Sequence, residues 1–273
     1  MRGAAEVDAL LASLDGALTE GVERVTSAED IEACVVVLYR AFAGLGAPPV
    51  MILDWVAGTE LKGCIDLFEP IRANADGVFV DNPEREKVFR YGMRWVVHMC
   101  AMYGVIFAIR HPGGGSKFSA VAACLPPGRQ ETAWTTLKML WKVGLPPWER
   151  LFRSAEWKRV QARAFQTFRT TRLAEREIEP QPHWKLSTLG VDPALQQSGY
   201  GRRLLNLVNA LADLGQYDVY LECSGARNEK IYRKFGFEVR RKVPVVPARN
   251  AGASAPFSEN GGVCMMVRPA SMP

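Results

Sequence analysis

The stretch Leu186–Leu205, LSTLGVDPALQQSGYGRRLL, holds the most informative pattern in the chain. Its first residues predict a strand and its last residues predict the start of an amphipathic helix. Between them, Gln196, Gly199 and Gly201 form a Q-x-x-G-x-G loop. Glycines let a ligand approach the backbone closely, and the first turn of a helix offers unpaired N–H groups at the positive end of its dipole. The stretch therefore predicts a site for a pyrophosphate group.

Two other glycine-rich loops also bind phosphates, and the spacing here fits neither. A dinucleotide-binding loop has the spacing G-x-G-x-x-G with an acidic residue at the end of the next strand. A nucleotide-binding P-loop has the spacing G-x-x-x-x-G-K-[ST], which is absent. Judged on the loop alone, an ordinary tight turn between a strand and a helix remains almost as good an interpretation.

A second motif follows the first after a helix and a short link. It is Leu221–Glu238, LECSGARNEKIYRKFGFE, in which a strand leads into a helix that ends in Tyr-x-x-Phe-Gly-Phe. The two motifs, in this order and spacing, resemble the GNAT superfamily of N-acetyltransferases, which use acetyl-coenzyme A. The resemblance is clear over residues 183–243. It extends more loosely to the helix after Ser27, to a hairpin over 105–125 and to the closing strand.

Within this superfamily the chain resembles most the puromycin N-acetyltransferase-like group. That group combines a Trp-containing strand that ends in Gly-Val-x-Pro, an L-E-x-S-x-x-R-N block and a proline-rich end to the third strand. The corresponding segments are Trp184–Pro193, Leu221–Phe237 and Leu125–Pro127.

The resemblance implies how the chain would hold acetyl-coenzyme A. Leu189, Gly190 and Val191 lie on the strand whose backbone would pair with the pantetheine arm, and one of their amides would face the thioester carbonyl. Asn228 would cap the next helix and contact the cofactor. The residues that would give N–H groups to the pyrophosphate are Gln196, Gln197, Ser198, Gly199, Tyr200, Gly201 and Arg202.

The resemblance also implies that Tyr232 protonates the departing coenzyme A thiolate, a suitable role for a positioned phenol. The alternative is a core tyrosine on a helix face. The attacking amine must lose a proton, and Glu222 is the candidate base. An equally good interpretation makes Glu222 a strand carboxylate that faces solvent or pairs with an arginine.

Other residues are assigned structural roles. Cys223 is interpreted as a buried strand thiol and not as an acyl carrier, and His98 and His183 lack any pattern of catalytic partners. Three basic residues could meet the adenosine 3′-phosphate, although solvated helix faces are the favoured interpretation: Arg203, Lys230 and Arg233. Three tryptophans in the helical segment are predicted to pack in its core or lining: Trp134, Trp141 and Trp157.

The resemblance implies an α+β fold of the GNAT type, with a central mixed, mostly antiparallel sheet flanked by helices. Residues 1–20 are predicted to be a helical extension, and 21–273 a single acetyltransferase domain. A helical insert over 131–182 precedes the strand that would bind acetyl-coenzyme A. A helical region is also predicted from Pro48 through Trp55, and a polar loop over 248–261.

The composition is that of an ordinary globular protein, with 48% hydrophobic residues and a formal net charge of +5. No block of Lys and Arg marks a nucleic-acid-binding tail, and no apolar run reaches membrane-spanning length. The N-terminus lacks the pattern of a secretory signal. The six cysteines are scattered and only three histidines occur, so no metal site is predicted. These features favour a cytoplasmic protein without nucleic-acid or membrane partners.

The leading hypothesis is therefore an acetyl-coenzyme A-dependent enzyme that acetylates an amine of a small molecule in a ternary complex. An alternative with the same fold acetylates a protein lysine or N-terminus. A third hypothesis is a non-catalytic sensor of acyl-coenzyme A, against which Tyr232 argues. The acceptor amine, the acyl length and the oligomeric state are left open by the sequence.

Overall fold

The structure is a computed structural model that describes residues 2–14, 16–42, 83–111, 113, 117–128, 133–144, 155–244 and 262–271. The helical region predicted from Pro48 through Trp55 and the loop predicted over 248–261 lie outside these residues.

Seven strands and eight α-helices form the described part of the chain. The strands are β1 (Val22–Arg24), β2 (Val105–Arg110), β3 (Phe118–Leu125), β4 (Trp184–Val191), β5 (Val219–Cys223), β6 (Glu238–Pro244) and β7 (Gly262–Arg268). The helices are α1 (Arg2–Ala12), α2 (Gly16–Thr19), α3 (Ala28–Phe42), α4 (Pro83–Tyr103), α5 (Ala133–Val143), α6 (Ala155–Ile178), α7 (Tyr200–Leu214) and α8 (Ala226–Arg233). A 3₁₀ turn, Pro193–Leu195, joins β4 to the glycine-rich loop.

The strands form one mixed sheet in the order β1-β2-β3-β4-β5-β7-β6. Neighbouring strands run antiparallel except β4 and β5, which are parallel. Parallel neighbours need a crossover connection, and here α7 supplies it. The predicted α+β fold, with a mostly antiparallel sheet between helices, is confirmed.

A β-bulge interrupts the pairing of β3 with β4. Ala123 is level with Thr188 and Cys124 with Leu186, so Ser187 is the extra residue. The insertion changes which side chains face which layer. Trp184, Leu186, Leu189 and Val191 therefore all pack on the side of α7.

The apolar core lies on both faces of the sheet. On one face, α3 and α4 pack against β2 and β3 around Leu38, Val97 and Val121. On the other face, α7 packs against β2 to β5 around Leu207 and Trp184. A smaller cluster joins the C-terminal part of α6 to β5, β6 and β7. The sheet is thus covered on both sides near β4, the strand that leads into the glycine-rich loop.

The N-terminal helices lie against this core. Val7 of α1 is buried in the α7 cluster, and the Arg203 guanidinium of α7 donates to the carbonyl of Glu20, just after α2. Arg203 therefore connects α7 to the end of the N-terminal extension, a role that the sequence analysis did not predict.

The prediction that the tryptophans of the insert are buried is wrong for α5. Trp134 is 63% exposed and Trp141 is 93% exposed. Met139 and Val143 of the same helix are buried instead. Helix α5 has apolar residues on two faces, and periodicity alone does not tell which face meets the core. The side chain of Trp157 lies outside the described set.

Candidate active site

The sheet opens between its two parallel strands. Pairing of β4 with β5 covers only Trp184 to Leu186, where Leu186 is level with Leu221. Pairing of β4 with β3 continues as far as Val191. Within the described part of the chain, the other edge of β4 therefore has no strand partner from Ser187 to Val191. An extended ligand can pair with such an edge as an added strand. Leu189, Gly190 and Val191, the predicted pantetheine-binding residues, all lie on it.

The free edge leads directly into the glycine-rich loop. Asp192 accepts a hydrogen bond from the N–H of Ala194 (3.0 Å) and caps the 3₁₀ turn. The chain then takes left-handed conformations at Gln197 (φ 70°) and Gly199 (φ 83°) before α7 begins at Tyr200. No side chain caps this helix, so its first N–H groups are available to an anion.

The predicted loop residues lie together at the surface. Four of them are exposed: Gln196, Gln197, Ser198 and Gly199. Tyr200, Gly201 and Arg202 form the first turn of α7. The seven predicted residues thus lie together in the loop and the first turn of α7. The uncapped start of α7 fits a pyrophosphate.

Two glycines of this region also have packing roles that the sequence interpretation missed. A Cβ atom on Gly190 would lie 2.8 Å from Leu38 Cδ2 and 3.1 Å from Ala41 Cβ, both in α3. A Cβ on Gly201 would lie 3.3 Å from Val191 Cγ2. The two glycines therefore allow α3 and α7 to approach β4 closely.

Tyr232 lies in α8, on the α7 side of the sheet. Its ring packs edge-on against Phe237 with 5.7 Å between centroids, and it belongs to the same apolar cluster as Cys223 and Leu221. Burial, with a smaller effect of Cys223, raises the pKa of Tyr232 above its ordinary value of 10.0. The phenol therefore keeps its proton at neutral pH, as a general acid must.

The predicted capping role of Asn228 is wrong. Helix α8 begins at Ala226, and its N-cap residue is Gly225, with φ 82°. The positive φ, which glycine adopts readily, turns the chain before Asn228. Asn228 therefore lies inside the first helical turns and donates from Nδ2 to the carbonyl of Ser224 (2.9 Å). Its predicted contact with the cofactor stays a prediction.

Glu222 faces away from Tyr232. Leu221 and Cys223 pack on the α7 side, so alternation along β5 places Glu222 on the opposite face. Its Oε1 accepts a hydrogen bond from the Tyr220 hydroxyl (3.1 Å) and lies 3.4 Å from Lys185 Nζ. The cation beside it is thus a lysine of β4, whereas the sequence interpretation had weighed an arginine.

A second carboxylate, Glu175 of α6, completes this network. Its Oε2 lies 2.5 Å from Lys185 Nζ, and its Oε1 lies 3.2 Å from His183 Nε2. His183 Nδ1 donates to the carbonyl of Gln181 (2.8 Å). Both ring nitrogens therefore face oxygen atoms, an arrangement that favours the doubly protonated imidazolium.

Charge pairing outweighs burial in this network. Burial alone would lower the pKa of His183, but the bonds to Glu175 and Gln181 raise it overall. Burial alone would raise the pKa of Glu175, but His183 and Lys185 lower it overall. The sequence analysis did not identify Glu175. It found no pattern of catalytic partners for His183 and therefore did not predict this contact. The two residues lie on a helix and a loop whose contact no local spacing encodes.

A cavity of about 580 Å³ lies beside this network. It is bordered by α4, the ends of β3, α6 and β5, and the start of β4. Its apolar wall includes Trp95, Met99, Leu125 and Phe168. Its polar wall includes Arg172, Glu175, Arg176, Glu179, His183, Lys185, Ser187 and Glu222. Tyr232 is not part of this lining, so the two predicted catalytic residues approach the opening from opposite faces of the sheet.

Cys223 behaves as the sequence interpretation expected. The residue is buried, and burial, with a smaller effect of Cys264, raises the pKa of its thiol to about 12. A thiol with so high a pKa is a poor nucleophile at neutral pH.

The described residues offer neither a metal-binding cluster nor a membrane-spanning helix. No group of three or more His, Cys, Asp or Glu side chains among them could hold a metal ion. None of the helices described is both long and apolar enough to span a membrane.

The opened sheet, the glycine-rich loop and the adjoining cavity are arranged as in the GNAT fold. Residues 163–239, from α6 into β6, match the family model of the acetyltransferase (GNAT) domain. The resemblance stated from the sequence is thus supported at the level of this domain, whereas the puromycin N-acetyltransferase-like subgroup stays a prediction.

Solved structures of N-acetyltransferases share the fold. A histone acetyltransferase HPA2 and related acetyltransferase from Corynebacterium glutamicum has a TM-score of 0.51 at 19% identity, over 92% of this chain and 97% of that one. The Drosophila melanogaster polyamine N-acetyltransferase, which forms N-acetylagmatine, has a TM-score of 0.51 at 14% identity, over 91% and 98%. A mosquito protein named arylalkylamine N-acetyltransferase-like 5b has a TM-score of 0.50 at 13% identity, over 91% and 99%. No curated protein sequence matches the chain.

Proposed function

We propose that the protein transfers the acetyl group of acetyl-coenzyme A to a primary amine of a small molecule, by direct attack in a ternary complex. The observation that carries this proposal is the free edge of β4. This edge runs from the uncapped loop at Gly199 back to the cavity at Ser187. Acetyl-coenzyme A that lies along this edge and an amine that lies in the cavity can thus meet near Ser187. Two neighbours with this fold act on polyamines and agmatine by their names, which supports a small amine.

The donor would lie along β4. The pantetheine arm would pair with Leu189, Gly190 and Val191, and the loop residues from Gln196 to Arg202 would give N–H groups to the pyrophosphate. Acetyl-coenzyme A would supply an acetyl group activated as a thioester. A backbone N–H of β4 would stabilise the negative charge that develops on the thioester oxygen.

Two side chains would move protons. Glu222 would take a proton from the ammonium group of the acceptor, and the freed nitrogen would form the new C–N bond. The second proton, which the nitrogen loses after this bond has formed, would pass to solvent. As the C–S bond breaks, Tyr232 would give its proton to the departing sulfur. The placement of these residues on opposite faces of the sheet suits the two steps, because the entering nitrogen and the departing sulfur are separate substituents of the tetrahedral carbon and need separate proton-transfer groups.

The size of the cavity suits a small acceptor. At about 580 Å³ it lies within the range of small-molecule sites.

The test is a coenzyme A release assay across a panel of amines. The panel includes agmatine, polyamines, arylalkylamines and puromycin, together with lysine peptides as protein acceptors. We expect saturable release with at least one small amine and formation of its N-acetyl product. Release with peptides only would favour a protein acetyltransferase. Tight binding of acetyl-coenzyme A without release for any amine would favour a sensor and contradict the proposal.

A further inference from the structure

The bulge in β4 places one side chain where the sheet opens. Ser187 is the extra residue between Leu186 and Thr188, and it is the first residue of β4 beyond the pairing with β5. Ser187 is among the residues that line the cavity. Its Oγ is buried and has no hydrogen-bond partner within the described part of the chain. A buried polar group normally has a hydrogen-bond partner, and for Ser187 a ligand in the cavity can supply one.

Glu222 lies at the corresponding place on the other side of the opening. Leu186 of β4 is level with Leu221 of β5, so the next residue on each strand is Ser187 and Glu222. Both line the same cavity, together with Lys185. A hydroxyl and a carboxylate thus border the cavity at the point where the two strands separate.

The donor would end at the same point. The path along β4 from Val191 back to Ser187 covers four residues, or about 13 Å. Beyond Ser187 the edge of β4 is closed by β5. A ligand that runs from the glycine-rich loop along the free edge can therefore extend no farther than Ser187. Its reactive end would face the cavity there.

We propose that Ser187 Oγ binds the nitrogen of the acceptor amine and, with Glu222, orients it for attack. This inference rests on the proposed function. Glu222 would take one proton of the ammonium group, and Ser187 Oγ would accept a hydrogen bond from an N–H that remains. The lone pair of the nitrogen would then point away from both residues, towards the acetyl carbon. Ser187 would contact the acceptor and leave the affinity for the donor unchanged.

The neighbouring Thr188 provides a matched control. It also carries a buried hydroxyl without a partner in the described part of the chain. Thr188 does not line the cavity. Gly190, two residues further along β4, faces α3, and alternation along the strand places Thr188 on that same side. Loss of a hydroxyl from β4 can thus be compared at two adjacent positions.

The experiment uses the full chain and the panel amine with the highest kcat/KM for the unmodified enzyme. We expect Ser187→Ala to raise the KM of the amine about tenfold, the effect of one lost hydrogen bond, with the Kd of acetyl-coenzyme A unchanged by calorimetry. Ser187→Cys keeps the shape with a weaker hydrogen bond, so we expect a smaller rise. Thr188→Val should leave the KM of the amine unchanged.

Three results would overturn the inference. The first is an unchanged KM and kcat for the amine in Ser187→Ala. The second is a weaker Kd for acetyl-coenzyme A in that variant, which would place the hydroxyl on the donor. The third is an equal loss in Thr188→Val, which would indicate a general effect on β4. Absence of transfer by the unmodified enzyme would overturn the proposed function as well, so the two failures are distinguishable.

Discussion

Arg40 of α3 forms an ion pair with Asp192, the residue at which β4 passes into the glycine-rich loop. Arg40 Nη1 lies 3.0 Å from Asp192 Oδ2, and Asp192 is only 2% exposed. The other oxygen, Oδ1, accepts the hydrogen bond from Ala194 N. A buried carboxylate needs such partners, because its desolvation is otherwise unfavourable. The pair thus fixes the start of the loop relative to a helix on one face of the sheet.

Removal of the cation at this junction should affect both stability and donor binding. We expect Arg40→Gln to lower the free energy of unfolding by about 2 kcal/mol, because Asp192 loses a charged partner while it stays buried. We also expect the Kd of acetyl-coenzyme A to rise severalfold as the loop loses its anchor. Denaturant unfolding and calorimetry would measure the two effects. Arg24→Gln, which removes a more exposed ion pair with Asp8, should change little. Equal effects of the two substitutions would contradict this role of Arg40.

Loss of the Tyr232 hydroxyl should slow the chemical step. We expect Tyr232→Phe to lower kcat at least about 100-fold, the usual contribution of a general acid. The Kd of acetyl-coenzyme A should remain within about twofold, because the ring still packs against Phe237. Tyr217→Phe, a substitution of a half-buried tyrosine beyond the end of α7, is the matched control and should keep its activity. An unchanged kcat in Tyr232→Phe would remove Tyr232 from the mechanism.

A methyl group at Gly190 should destabilise the protein. Its Cβ would meet Leu38 Cδ2 at 2.8 Å, and overpacking of a core typically costs about 1–3 kcal/mol. We therefore expect Gly190→Ala to lower the free energy of unfolding by about that amount in urea. Gly92 lies inside α4, and the position that a methyl group would take there has nothing within 4 Å. Gly92→Ala should therefore stabilise the protein by about 0.5–1 kcal/mol. The same sign for both variants would contradict the close packing of α3 on β4.

Substitutions at the two left-handed residues of the loop, Gly199 and Gln197, should have different effects. Gly199 has φ 83° and open space around it, so Gly199→Ala introduces backbone strain of about 1 kcal/mol without a clash. We expect weaker binding of acetyl-coenzyme A. Gln197 already has φ 70°, so Gln197→Gly should relieve strain and preserve the free energy of unfolding. Calorimetry and urea unfolding of both variants would check this. Tighter binding in Gly199→Ala would show that the loop adopts another conformation with the ligand.

The His183–Glu175 pair should make stability depend on pH. The folded-state pKa of His183 lies above its ordinary value of 6.5, so its contribution is complete below that value and is lost as pH rises through the folded pKa. The pKa of Glu175 lies below its ordinary value of 4.5, so its contribution is present above that value and is lost as pH falls through the folded pKa. The pair should therefore stabilise most between these two ordinary values.

Two measurements check this dependence. We expect His183→Gln to lower the free energy of unfolding more at about pH 6 than at about pH 9, once His183 is neutral in both states. NMR titration should show a midpoint for His183 above 6.5, and Glu175→Gln should lower that midpoint. With only three histidines in the chain, the resonance can be assigned by substitution. A midpoint that does not respond to Glu175→Gln would contradict the ion pair.

Much of the fold and the donor side of the site followed from local sequence patterns. The hairpin of β2 and β3 and the strand β4 match their predicted positions closely. The helix after Ser27 was also predicted, and the Asp30 N–H donates to Ser27 Oγ (3.0 Å) at its start. The seven residues of the glycine-rich loop are consecutive, so one stretch of sequence specifies their placement.

The acceptor side was not predictable in the same way. Glu175, Lys185 and Glu222 meet because α6 crosses the face of the sheet beside β4 and β5, and no local spacing encodes that crossing. The exposure of Trp134 and the position of Asn228 inside α8 were missed for a related reason. Periodicity gives the faces of a helix, but packing and the φ of a nearby glycine decide which face is buried and where the helix begins.

The sequence by itself determined the order of elements, the loop that would bind the donor and the candidate acid Tyr232, since each depends on residues close together in the chain. The tertiary structure alone decided that β4 parts from β5 after Leu186, that a bulge turns Ser187 into the resulting cavity, and that Glu222 and Tyr232 approach from opposite faces. These features depend on strand register and on contacts between distant segments. Register is set by the packing of whole faces of the sheet, so it emerges only when the chain has folded.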